Sequence, residues 1–232
     1  TVDAGRLREA GADLARAGRT VLLLIAPLGV GMFVLASPAA AVMFGYGAAD
    51  AAQVEQLAIV TQIFALGLAP FTIYYVLLRG WYAFEDTRTP FYLAVVLNTI
   101  NVVLAITFFS QAGPGAPQVN ALPAAYILTY WIIVIIAWPI LARRYGSLET
   151  KQTIGTFAKI MIASLIGMAG GIIVESLVGP YRLGDSKLSA LWTMTYVGVV
   201  IFVCYGIAAW LLRIKEFSNL VDTVKHRLPG RR

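Results

Sequence analysis

Charge is scarce in this sequence: only 13% of its 232 residues are Asp, Glu, Lys or Arg, while 59% are hydrophobic. The mean hydropathy, +0.76, lies far above that of soluble domains and puts the chain in a bilayer. A single cysteine, Cys204, excludes an intrachain disulfide and falls inside an apolar run, where packing is its expected role. A single histidine, His226, leaves a histidine-based metal site without a second imidazole, so no metal is expected. No Gly-rich loop runs into Lys-Ser or Lys-Thr, so any use of ATP is expected elsewhere. Serine, histidine and acid do not converge on a hydrolase pattern. The chain reads as a non-enzyme without a cofactor or a nucleic-acid partner.

What the sequence has in abundance is long apolar runs. Six are long enough to cross about 30 Å of hydrocarbon as helices, at residues 21–44, 57–78, 90–109, 120–141, 158–178 and 188–212. They lack the alternation of barrel strands, so the expected fold class is all-α, a polytopic membrane helical bundle. Of the 18 Lys and Arg, only Arg182 and Lys187 lie in the connections after the first, third and fifth runs. The positive-inside rule then makes both ends of the chain cytosolic. Four segments are expected: a cytosolic lead helix over 1–19, four spans over 20–143, a final pair over 144–213, and a basic amphipathic tail over 214–232. In the tail, Ile214, Phe217, Val221, Val224 and Leu228 recur every three or four residues, with Lys215, Lys225 and Arg227 available to lipid phosphates. The lead reads as a solvated connector that includes Arg6, Arg8, Arg16 and Arg19.

Polar groups inside the runs are few. Asn98 and Asn101 must face protein or a wet cavity, since an unpaired amide in hydrocarbon costs about several kcal/mol. Glu175 follows Ala163, Gly167 and Gly171 at four-residue spacing, a stripe that suits close helix packing; the acid suits either a solvated carboxylate or proton and substrate handling. Pro27 and Pro70 interrupt apolar runs, where each can kink a helix.

The most polar short stretch between spans is "RGWYAFEDTRTP", residues 79–90. Arg79 can snorkel, and Trp81 and Tyr82 can anchor at headgroup level. Glu85, Asp86 and Arg88 offer opposite charges that can pair across a tight hairpin. Thr89 is placed to cap the next helix, with Pro90 in its first turn.

This stretch, followed by Asn101, resembles the lipid II flippases of the MurJ/MviN family. "MFGYGAAD" at 43–50 and "LRIKEF" at 212–217 also match, as does Pro27 in the preceding span. The resemblance implies the C-terminal portion of a fourteen-helix flippase, four helices of its second lobe plus a final pair, in the bacterial cytoplasmic membrane. The implied activity is movement of the lipid-linked peptidoglycan precursor to the outer leaflet. Implied partners are that precursor, membrane lipids, the N-terminal helices of the same protein, and a cytosolic regulatory domain or partner. The family's final pair lines a groove for the lipid tail, so Ala163, Gly167 and Gly171 are assigned either to that groove or to helix packing. Arg79, Tyr82, Glu85, Asp86, Arg88, Thr89 and Pro90 are expected to form a cytosolic gate or structural hairpin. Lacking a methionine start, the chain reads as a piece of a longer protein. Two alternatives stay open: a drug or polysaccharide-unit exporter of the same superfamily, and a non-transporting scaffold for cell-wall synthesis.

Overall fold

The structure, a computed structural model, describes residues 4–45, 50–179, 181–182 and 184–220. Seven helices make up the bundle, α1 (Ala4–Val34), α2 (Ala36–Phe44), α3 (Ala51–Tyr82), α4 (Arg88–Gln111), α5 (Ala116–Tyr145), α6 (Thr150–Val178) and α7 (Lys187–Leu211), and residues 215–220 are helical as well. All but α2 are long and apolar enough to cross a membrane, which bears out the all-helical bundle with six spans. The helices carry the chain beyond the hydrocarbon runs: α3 has 32 residues, well over the roughly 20 a bilayer core requires.

Two expectations change at the first span. No helix boundary falls at residue 19; the charged lead is the opening part of α1, continuous with the apolar part. The break comes at Leu35 (φ −92°, ψ 15°) instead of at Pro27. Pro38, four residues after Val34, has no N–H to offer the Val34 carbonyl, and its ring crowds that turn. On either side the pattern holds, with Leu35 donating to Gly31 and Ala39 to Leu35. The helices run through Pro27, Pro70, Pro123 and Pro139 without a break.

Packing follows a spatial order unlike the chain order. α4 lies on α5, α5 on α3, α3 on α1, α1 on α6, and α6 on α7, with α2 bridging α3 and α7. One core joins α3, α4 and α5 around Tyr74, Leu77, Trp81, Leu97, Ile133 and Leu141. A second joins α1, α6 and α7 around Leu23, Ile160, Ala163 and Tyr205, and takes in Ile214. α1 is therefore the wall between the two groups. Trp81 is not a headgroup anchor: it is 1% exposed in the first core, while its neighbour Tyr82 faces out.

Close approach explains the small residues. Ala163 is fully buried, and a Cβ on Gly171 would stand 2.7 Å from Cγ1 of Ile201. Gly167 faces the Ile201 carbonyl and Tyr205 in the same way, so this stripe is the seam between α6 and α7. Cys204 packs on the neighbouring Gly170, in keeping with the packing role expected of it. Gly11 is tighter still: a Cβ there would sit 2.5 Å from the Ser147 carbonyl oxygen, which backbone geometry holds in place.

Gly11→Ala should therefore destabilise the full-length protein by about 1–3 kcal/mol, the usual cost of overpacking. Gly31→Ala, where nothing lies within 4 Å, should be neutral or slightly stabilising. Thermal unfolding of the detergent-solubilised variants, followed by size-exclusion, checks both; equal melting temperatures would contradict the close approach.

Candidate functional site

The described Lys and Arg residues concentrate at one end of the bundle, where α1 starts, α3 turns into α4, α5 turns into α6 and α7 ends. The α3–α4 hairpin is built by backbone closure. Asp86 N–H donates to the Trp81 carbonyl and Glu85 N–H to that of Tyr82, the pattern of a Schellman cap. Glu85 takes the left-handed position usual for glycine (φ 55°), at a cost of about 1 kcal/mol or more.

Asp86 then starts α4. Its Oδ1 accepts from the backbone N–H of Arg88 (3.1 Å) and Thr89 (3.0 Å), and its Oδ2 accepts from the Thr89 hydroxyl (2.8 Å). The capping side chain is thus Asp86, not Thr89, which bonds to it; Pro90 is buried in the first turn as expected. The pairing expected within the hairpin also changes. Asp86 pairs with Arg144 at the end of α5 (Nη1 to Oδ2, 2.8 Å), 58 residues away, rather than with Arg79 or Arg88. The Arg144 guanidinium also lies 4.7 Å from the centre of the Phe84 ring. Hydrogen bonds from the Thr89 backbone and hydroxyl, then the Arg144 charge, hold the Asp86 carboxyl below the usual carboxylate range.

A second cluster lies deeper and escaped the sequence reading. Arg19, read as part of a solvated lead, is only 2% exposed. Its Nε donates to Oε1 of Glu216, just after α7, and its Nη1 to Oε2 of Glu149 (3.0 Å) and Oγ1 of Thr153 (3.2 Å) at the start of α6. Glu216 is nearly as buried as Arg19; Glu149 keeps a third of its side chain exposed. Two carboxylates supply what a buried guanidinium needs, and they come from sequence positions 130 and 197 residues away. One signal was legible: Arg19 sits on the same stripe as Ala15, Leu22, Leu23 and Ala26, a charge on an apolar face. Ile214 is buried and Phe217 packs on the second core, so the start of the tail docks on the bundle. Val221, Val224, Lys225, His226, Arg227 and Leu228 lie outside the described residues.

The intramembrane amides separate. Asn101 donates to the Thr129 hydroxyl across α4 and α5 at 3.4 Å, while Asn98 is exposed and donates to its own helix at the Ala94 carbonyl (2.7 Å). Glu175 is half-buried near the far end of α6. Toward that same far end, Gln56 and Asn120 join α3 to α5 at 2.7 Å. None of these groups meets the Arg19 or Asp86 clusters.

Between α1, α3, α5 and α6 run two adjoining apolar cavities of about 280 Å³ each, which share Leu22, Trp131 and Phe157. Their α6 wall extends from Thr150 to Met168, close to the span of a bilayer core at 1.5 Å per residue. The groove thus lies on a different face of α6 from the Ala163, Gly167 and Gly171 seam. Ser164 lines it with a buried hydroxyl oxygen that has no hydrogen-bond partner.

A family model described as "Lipid II flippase MurJ" matches residues 2–191. Among similar proteins, a "Probable lipid II flippase MurJ" of Rhizobium tropici is 25% identical over 99% of this chain and 42% of its own length. That of Thermotoga maritima is 22% identical over 88% of this chain and 38% of its own length. A "Lipid II flippase MurJ" of Burkholderia cenocepacia is 34% identical over a shorter stretch, 41% of this chain. The chain spans about two fifths of the length of the first two relatives.

Two measurements test the charged end. Arg19→Leu leaves Glu216 buried beside Glu149 without its cation and should destabilise the full-length protein by about 3 kcal/mol or more. Arg16→Leu, which removes an exposed pair with Asp13, should cost under about 1 kcal/mol; similar melting temperatures for the two would refute the burial of Arg19. For Asp86, whose folded carboxyl is the more acidic, the stabilisation is present above the ordinary aspartate range and is lost as pH falls through and below it. The melting-temperature gap between wild type and Asp86→Asn should accordingly narrow on acidification, and a constant gap would contradict the bonding described.

Proposed function

The chain belongs to the MurJ family of lipid II flippases, and from that premise we propose that the protein containing it carries the lipid-linked peptidoglycan precursor from the inner to the outer leaflet by alternating access. The match to the family over residues 2–191 is the observation that carries this reading. The substrate class is undecaprenyl diphosphate bearing a disaccharide and a peptide. Its diphosphate cannot cross oil unaided, because bare burial of an ionised group costs tens of kcal/mol in the idealised limit. A hydrated basic cavity that opens to one side at a time removes that cost. For two negative charges the membrane potential favours outward movement by roughly 2 × 2.3 kcal/mol per 100 mV.

Within this scheme the parts of the chain take separate roles. Its basic end faces the cytosol, by the positive-inside rule, which places both termini there. The apolar groove of α1, α3, α5 and α6 takes the polyprenyl tail, since its lining offers almost only carbon. The span over residues 20–143 belongs to one lobe, and α6 with α7 forms the final pair. Helices from the rest of the protein complete the cavity and supply the cations that neutralise the diphosphate. The hairpin is a cytosolic gate whose working contact is Asp86–Arg144, with Arg79, Tyr82, Glu85, Arg88, Thr89 and Pro90 shaping the turn. Arg144 keeps 44% of its side chain exposed, so this pair breaks more readily than the Arg19 cluster.

Outer-leaflet labelling of the precursor, in cells depleted of the full-length protein and then complemented, tests the proposal. Labelling should collapse on depletion and return with wild type. At equal abundance, Asp86→Ala and Arg144→Ala should restore it several-fold less well, and the exchange Asp86→Arg with Arg144→Asp should recover part of the loss. Labelling that survives depletion in cells with no second flippase refutes the transport reading. Full restoration by both alanine variants reduces the hairpin to a structural turn.

A further inference from the structure

The Arg19 cluster and the apolar groove share a wall. Arg19 lies between Gly18 and Leu22, both of which line the groove from α1. Its partners sit opposite: Thr153 lines the groove itself, and Glu149 stands between Leu148 and Thr150, which also line it. The bonds from Arg19 to Glu149 and Thr153 therefore tie α1 to α6 across the basic end of the groove. On the other side Arg19 is tied to Glu216, and Tyr205 donates to the Leu23 carbonyl at 2.8 Å, which fixes α7 to α1.

The two carboxylates are not held alike. Glu216 is buried, whereas Glu149 is one-third exposed and occupies a left-handed backbone conformation (φ 46°) that a non-glycine residue adopts only under constraint. Its side chain makes no other ion pair among the described residues. If the Arg19 contact is lost, both solvent access and relief of the backbone favour release of this arm.

We propose that Arg19 is a positioning residue that sets the width of the groove at its basic end, with Glu149 as the arm that releases. With the arm closed, α1 and α6 are held together; with it open, α6 swings from α1 about the fixed Glu216 side and a prenyl chain enters laterally. The groove-width device stands on geometry alone, while the identity of the occupant rests on the tail-binding role proposed above.

The experiment uses the full-length protein, cysteine-free, in lipid nanodiscs, with spin labels at Leu28 and Ile162. Both positions are exposed, on α1 and α6, and neither lines the groove. Glu149→Gln keeps the size of the arm and removes its charge; Glu149→Ala removes the arm; Lys151→Ala changes a nearby exposed charge as a control. Both Glu149 variants should add a longer interlabel distance absent from wild type, larger in the alanine variant, and Lys151→Ala should not. A photoreactive polyprenyl phosphate should then label α1 and α6 several-fold more strongly in the Glu149 variants. Distances like wild type in both Glu149 variants, at wild-type abundance, overturn the device, as does an equal shift in Lys151→Ala. A longer distance with unchanged labelling leaves the device standing and removes the tail from the groove.

Discussion

A guanidinium placed in the interior of a helical bundle must be met by acceptors, and the packing of this protein is arranged around that need. Arg19 projects from α1 into a site with almost no solvent, where an unpaired charge is far costlier than any single contact around it. Its partners come from the start of α6 and from just beyond α7, so the ion cluster pins the final helix pair to α1. α1 in turn packs on α3, which leads to α5 and α4. Because the cluster sits at one end, it fixes that end and leaves the opposite one to softer contacts, such as the Gln56–Asn120 bond and the short α2 wedge.

The backbone at the same end shows what that arrangement demands. Among the described residues, the non-glycine positions with left-handed backbone are Glu85, Glu149 and Arg213. Each stands at a helix boundary on the basic side, and two of them flank or belong to the Arg19 cluster. Arg213 closes α7 by a Schellman pattern, with Arg213 N–H donating to Trp210 and Ile214 N–H to Ala209, and this turn delivers Glu216 to Arg19. The constrained turns, the two ion clusters and one end of the apolar groove thus lie at the same end of the bundle. Interactions that can break hold constrained backbone at this end.

Hydropathy made the helices legible and left their neighbours hidden. Six spans follow from apolar length alone, because a bilayer imposes helix on any long run without charge. The break at Leu35 was also written in the sequence, at Pro38, but Pro27 is the same residue type and interrupts nothing; which proline breaks a helix depends on the neighbours around the freed carbonyl. Trp81 shows the limit in another form. Its position near a helix end suits an anchor, yet it is buried in the same core cluster as Leu77, Leu141 and Tyr145. The ion pairs were the least legible part. Local density of charge singles out Asp86, while its partner Arg144 and the partners of Arg19 lie dozens to hundreds of residues away, where spacing carries no signal.

The claim that this buried cluster organises the bundle is tested most directly by a double-mutant cycle on Arg19 and Glu216 in the full-length protein, read as thermal or denaturant stability. Replacing each with leucine, singly and together, should give a double variant less destabilised than the sum of the singles by about 1.5 kcal/mol or more, since two residues in one buried network are not independent. Additivity to within about 0.5 kcal/mol would mean that the two side chains do not sense each other, and the organising role assigned to Arg19 would be wrong.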